Sequence, residues 1–319
     1  MIQPATNQIS KDNLSRHAII ALGGGGARGL AHLGALQAIE EAGIVIDRIV
    51  GVSIGSLVGA MSATGQTSHS ATQHVLAYVT SRRFRTKQNA LFGAHPKNSL
   101  TTGGMIAWYD RIRAYLWARQ LLNRVFRRRS LLCGQVLEEV ISHLIPDVDI
   151  AELPIPLSIV TIDLLTGHQV VLERGSIRKA IAASAAIPGI FPPVEWNGML
   201  LCDVGVLDSL PVRMARSYAT DQLVIGIDVG PTLEPISKCD SAIHVLLRMD
   251  EIAERLYRRV QIEEVDLLIK PEVGHIQWFD FCQPSRTVDL GRHAARLAIN
   301  RFAQACHIDI SEMLSFSNQ

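Results

Sequence analysis

No stretch of about 18 consecutive apolar residues occurs in this 319-residue chain, so nothing in it reads as a bilayer-spanning helix. The N-terminal MIQPATNQISKDNLSRH lacks the apolar core that a secretory signal requires. Cysteine is scarce. Cys133, Cys202, Cys239, Cys282 and Cys306 form no C-x-x-C pair and no even framework, which argues against a disulfide scaffold and against a metal site. A reducing compartment, the cytoplasm, is the expectation, with peripheral contact at a membrane as an option. Net charge is nearly absent too, at +1, so the average says nothing about partners. No internal repeat, low-complexity segment or recognised nucleic-acid module stands out, and no nucleic acid is expected as a partner.

What is present is a large apolar fraction, 48%, enough for a sizeable core in one large α/β domain or two small ones. Charge is also distributed unevenly. Residues 82–129 hold twelve Lys/Arg against Asp110 alone, a local +11, and the remainder of the chain is left at −10. That asymmetry reads as a basic surface element on an acidic body.

Residues 1–16 read as a flexible tail. HAIIAL (17–22) reads as a short buried strand ended by four glycines, and Leu30, Leu33, Leu36 and Ile39 then recur at helical spacing up to Gly43. Ile49–Val52 reads as a second strand, followed by the small, apolar IGSLVGAMSAT of a buried helix. Strand, loop and helix, twice over, predict a parallel sheet. Further strands are expected at 154–162, 169–172 and 223–228, with a helix over 177–186. Asn197-Gly198 between 191–194 and 199–202 is a hairpin signal. The expected organisation is a main body over 17–230, a basic insert at 82–130, and a helical part over 231–319 packed on the same domain.

Two glycine-rich punctuations, GGGGARG and GVSIG, lie close together. Gly24-x-Gly26-x-x-Gly29 fits a dinucleotide fingerprint, but Asp47, the acidic residue at about the right distance, precedes the second strand instead of ending it. A phosphate-binding P-loop would need Gly-Lys-Ser/Thr, which is absent. Gly51-Val52-Ser53-Ile54-Gly55 has the strand-to-helix context of a nucleophile elbow, in which a sharp turn exposes the serine hydroxyl near the positive end of a helix. The alternative is a plain turn with Ser53 as a helix N-cap. The pairing of the loops favours the elbow. An acyl-transfer serine needs an oxyanion site close by, and Gly24, Gly25 and Gly26 offer unencumbered N–H groups, with Arg28 to lock the loop or add charge.

GGGGARGLAHLGAL followed by GVSIGSLVGA resembles the patatin-like phospholipase family, whose pattern is Gly-Gly-Gly-x-Arg/Lys-Gly and then Gly-x-Ser-x-Gly. ASAAIPGIFPPVEWNGMLLCDVGVLDSLPV resembles the family's third, aspartate-bearing region, and the likeness covers about residues 17–229, least at 66–130. It implies a three-layer α/β patatin-like fold with a mainly parallel sheet and an inserted basic helical lid. It also implies a Ser53–Asp203 dyad, with Gly24, Gly25, Gly26 and Arg28 at the oxyanion site and Gly29, Gly51, Gly55 and Gly205 as motif positions. The activity implied is hydrolysis of a fatty-acyl ester of a phospholipid or lysophospholipid, with no metal and no organic cofactor. Acyl transfer to an acceptor other than water is an alternative. A catalytically silent lipid-binding protein is another, since Val204 stands where the family usually has glycine and Ser209 where asparagine is common. His244, His275, His293 and His307 follow Asp203 but resemble no catalytic turn, and His32 on the helix after the glycine loop reads as an ordinary helix histidine.

Met105–Arg129 has Met105, Tyr109, Ile112, Leu116 and Phe126 near one face and arginines over much of the rest. It reads either as a solvated lid helix or as an interfacial helix on anionic lipid, with Trp108, Arg127, Arg128 and Arg129 as contacts.

Overall fold

The computed structural model describes residues 16–92, 130 and 132–306. Its centre is an eight-stranded sheet. β1 (His17–Leu22) pairs in parallel with β2 (Val45–Val52) on one side and, on the other, with β7 (Leu223–Ile227), which follows later in the chain. β2 continues to β3 (Leu157–Asp163), again in parallel. β4 (Gln169–Leu172) and the hairpin β5 (Val194–Trp196) and β6 (Met199–Cys202) pair antiparallel at that end. The path runs β5-β6-β3-β2-β1-β7-β8, with β8 (Leu267–Ile269) parallel to β7.

The strands read as unbroken apolar runs because both faces of the sheet are covered. Along β1, Ala18, Ile20 and Leu22 enter one core while Ile19 and Ala21 enter the other. β7 divides the same way, with Leu223, Ile225 and Ile227 against Val224. The larger core lies under α1 (Leu30–Glu41), α2 (Ile54–Ala63), α3 (Ser68–Thr80), α6 (Ile177–Ser184) and α9 (Pro284–Ala305). The smaller lies under α7 (Val212–Tyr218). This period-two division makes three layers.

The observed elements keep the expected order and shift mainly at their ends. The Asn197-Gly198 turn holds both residues at positive φ, 47° and 82°, as the right-handed twist of a two-residue hairpin requires. The 231–319 part supplies more than helix. Besides α8 (Ala242–Ile262) and α9 it contributes β8 to the sheet, and α9 crosses α1 so closely that a Cβ on Gly34 would lie 1.9 Å from the Val288 carbonyl oxygen. The start of the basic insert is α4 (Arg82–Phe92), held to the body through ion pairs of Arg83 and Lys87 with Glu139 on α5 (Gln135–Leu144) and by Phe84 against Phe281. Trp108, Arg127, Arg128, Arg129 and His307 lie outside the described residues. Among the described residues no helix is long and apolar enough to cross a membrane.

Candidate functional site

β2 ends at Val52 and α2 begins at Ile54, so Ser53 makes the whole turn between them. Its backbone is at φ 54° and ψ −123°, a region non-glycine residues rarely occupy. Such a conformation costs on the order of 1–3 kcal/mol and persists only when the surroundings impose it. The surroundings here are close-packed. A Cβ on Gly51 would stand 2.6 Å from the Gly55 carbonyl oxygen, one on Gly55 2.2 Å from that of Leu22, and one on Gly29 2.3 Å from the Ile54 side chain. The Ser53 N–H donates to Ser184 Oγ at 2.9 Å, and that hydroxyl donates to the Val160 carbonyl at 2.8 Å. Ser184 thus ties the elbow to β3 through α6. The segment holding Ser184 was legible in the sequence, but this contact was not.

The glycine loop runs beside the elbow. A Cβ on Gly24 would lie 3.4 Å from Ser53 Cβ and 3.9 Å from Gly205 Cα, so this loop, the elbow and the turn after β6 converge on one point. The four expected oxyanion residues stand differently within it. Gly24 donates its N–H to the Ser209 carbonyl at 2.8 Å and is already engaged. The N–H groups of Gly25 and Gly26 donate to no acceptor among the described residues, and neither do those of Ile54 and Gly55 in the first turn of α2. Gly26, at φ +58°, would bring a Cβ within 2.2 Å of the Trp278 carbonyl oxygen. Arg28 is buried and donates from Nη1 to the Ile276 carbonyl at 3.3 Å, which makes it a lock of this loop. Burial, reinforced by Arg258 and opposed by Glu254 and Asp228, lowers its pKa to about 10. His32 is also buried, and burial lowers its pKa to about 4. The ring is therefore neutral, with its proton on Nε2, donating to the Gly23 carbonyl at 2.8 Å. A histidine that reads as ordinary from spacing alone is a second brace of the loop.

Asp203 follows β6 and is buried. Burial pushes its carboxyl up to about 6, against hydrogen bonds from the Ser53 side chain and the Gly205 N–H, the latter at 2.7 Å. Val204 lies among Ile19, Ala21, Val50, Val52 and Val160 at negative φ, since Ser53 and Asn197 are the non-glycine residues with positive φ among those described. Valine therefore stands here in a backbone conformation open to any residue. Neither Ser53 nor Asp203 has a histidine partner among the described residues. Ser209 accepts the Gly24 N–H at its carbonyl and hydrogen-bonds through its hydroxyl to Glu254 on α8.

Residues 20–216 match the model of the patatin-like phospholipase family. An uncharacterized NTE family protein of Mycobacterium tuberculosis is 30% identical over 304 residues, covering 88% of this chain and 46% of that protein. Patatin-like phospholipase domain-containing protein 6 of Mus musculus is 32% identical over 213 residues, covering 66% of this chain and 13% of that protein. The chain thus spans about half the length of the mycobacterial relative. Among solved structures, VipD from Legionella pneumophila aligns over 91% of this chain and 67% of its own, with a TM-score of 0.47 and 15% identity.

Proposed function

The chain belongs to the patatin-like phospholipase family, and from that premise we propose that it hydrolyses fatty-acyl esters of phospholipids or lysophospholipids through Ser53 and Asp203. One observation carries this reading: Ser53, strained at the strand-to-helix turn, stands where the glycine loop and the turn bearing the buried Asp203 carboxyl converge, beside N–H groups that have no acceptor among the described residues.

In the proposed reaction Ser53 Oγ attacks the acyl carbonyl carbon as its proton passes to Asp203. An ordinary carboxylate is a weak base for a hydroxyl, and a value near 6 brings Asp203 closer to the pH at which it must act. The negative charge that develops on the carbonyl oxygen is met by the N–H groups of Gly25, Gly26 and Ile54 and by the positive end of α2. Collapse of the tetrahedral species breaks the ester bond. The leaving alkoxide takes the proton from Asp203, and the acyl group stays on Ser53. Water then attacks the acyl-enzyme, Asp203 takes its proton, and the fatty acid leaves as Ser53 regains a hydrogen.

A catalytically silent lipid-binding protein, the alternative raised by Val204 and Ser209, would release no fatty acid in the test that follows. The test is hydrolysis of a panel of phospholipids and lysophospholipids by the wild type, Ser53→Ala and Asp203→Asn. Free fatty acid released by the wild type and lost in both variants supports the dyad. Release retained by Ser53→Ala contradicts it.

A further inference from the structure

Helix α8 is built inside out. It follows the region matched by the family and spans 21 residues, about 30 Å. Its charged and polar residues Glu254, Arg258 and Gln261 are buried. Its apolar residues point outward: Leu246 is 67% exposed, Met249 58%, Leu256 56% and Val245 47%, with Val260 and Tyr257 also exposed. These six are more than half of the eleven large exposed apolar side chains among the described residues. Positions 245, 249, 256 and 260 recur at helical spacing, so they form one stripe along the outer face.

The inner face explains why the polar residues turn inward. Arg258 donates to Asp228 Oδ1 at 3.2 Å and to the Pro231 carbonyl at 2.9 Å, and its Nε stands 3.4 Å from Glu254 Oε1. Glu254 holds the Ser209 hydroxyl, and the Ser209 carbonyl holds the Gly24 N–H. Burying these groups is tolerable because Arg258 pairs with Asp228 and Glu254, and Glu254 with Ser209, which leaves Asp228 Oδ2 without a hydrogen bond among the described residues. An apolar stripe on the opposite side of the same helix is a different matter, because it gains nothing from water.

We infer that the outer face of α8 is a docking surface for an anionic lipid bilayer, a reading that rests on the lipid-hydrolase function proposed above. Charge selects this occupant. Arg255 and Arg259 are exposed beside the stripe, and no acidic residue within the helix is exposed. The basic segment 93–129 of this chain would meet like charge there, and two copies of α8 laid against each other would oppose arginine to arginine. An anionic bilayer satisfies both parts of the face: apolar side chains enter the headgroup–acyl boundary and the arginines meet lipid phosphates. Through Glu254 and Ser209 the docked helix is joined to the glycine loop beside Ser53.

The test uses the full chain carrying Ser53→Ala, so that the lipid is not consumed. Co-sedimentation is measured with phosphatidylglycerol vesicles and with phosphatidylcholine vesicles. The triple variant Leu246→Ser, Met249→Ser, Leu256→Ser should bind phosphatidylglycerol at least about tenfold more weakly. Arg259→Glu should weaken binding to phosphatidylglycerol and leave the feebler binding to phosphatidylcholine unchanged. In the active background, the triple variant should hydrolyse a soluble p-nitrophenyl ester at the wild-type rate and bilayer lipid more slowly. Unchanged phosphatidylglycerol binding by the triple variant overturns the inference. So does a triple variant that turns a wild-type dimer into a monomer while still binding vesicles, which assigns the face to a second copy. Absence of soluble-ester hydrolysis in the wild type would count against the enzymatic reading, and the vesicle result would stand apart from it.

Discussion

At the scale of the residue, Asp203 makes the sharpest statements. Its carboxyl sits near 6 because burial disfavours the charged form. As the base it must be ionised, so kcat/KM on a soluble ester should rise with pH through an apparent value of about 6 and then level off. Its effect on stability has the opposite sense to that of a salt-bridged carboxylate. A carboxyl raised in the folded state imposes no cost below its unfolded value of 3.8, and an increasing one as pH climbs through about 6. Holding the group ionised in the interior therefore costs about 3 kcal/mol at neutral pH. Asp203→Asn should lower turnover by at least about a hundredfold and yet raise the melting temperature at pH 7.5. That gain should shrink towards nothing near pH 4. A variant no more stable than the wild type at pH 7.5 would mean that the carboxyl is not charged at a cost. Ser184 acts at one remove. Ser184→Ala leaves the Ser53 N–H and the Val160 carbonyl unpaired in the interior, at a cost of about 1–3 kcal/mol. Turnover should fall as the elbow loosens, read as a drop in kcat beside a lower unfolding midpoint in urea.

At the scale of the element, backbones approach one another through glycine. Gly55→Ala would place a methyl group 2.2 Å from the Leu22 carbonyl, and Gly34→Ala one 1.9 Å from that of Val288. Each should lower stability by about 1–3 kcal/mol or more, but only Gly55→Ala adjoins Ser53. Gly34→Ala protein that remains folded should keep its fluorophosphonate labelling rate, and Gly55→Ala protein should lose it. Gly25→Ala illustrates what spacing alone does not reveal. Its Cβ would meet Val229 Cγ2 at 2.9 Å and the Val229 carbonyl at 3.0 Å, so the substitution acts by shifting the loop. The sequence made the buried strands, the elbow and the Asn197-Gly198 hairpin legible because each has a short-range signature. α3 was not legible, because its first turns are polar and its identity rests on Thr67 capping the Ser70 N–H and on a few buried positions. Helix was expected over 231–319, but the way α8 faces was not legible, because its buried face is the polar one, which periodicity alone assigns to solvent.

At the scale of the whole molecule, the folded unit extends well beyond the family match at 20–216. β8 covers the edge of β7, and α9 covers α1. A chain truncated after residue 230 would expose both an unpaired strand and an apolar helix face, and should be recovered insoluble or without a cooperative thermal transition. Cooperative unfolding of that truncated chain would show the C-terminal part to be dispensable. The same scale governs how the three motifs meet. They lie far apart in sequence, and only the order β3-β2-β1-β7 brings the glycine loop after β1 beside the elbow after β2. Whether that meeting point performs acyl chemistry is decided most directly by trapping it. The full chain is treated with a fluorophosphonate and digested, and the adduct is located by mass spectrometry. A single adduct on Ser53, formed quickly by the wild type and far more slowly by Asp203→Asn, is the predicted result; an adduct on another residue, or none from protein that hydrolyses esters, would contradict it.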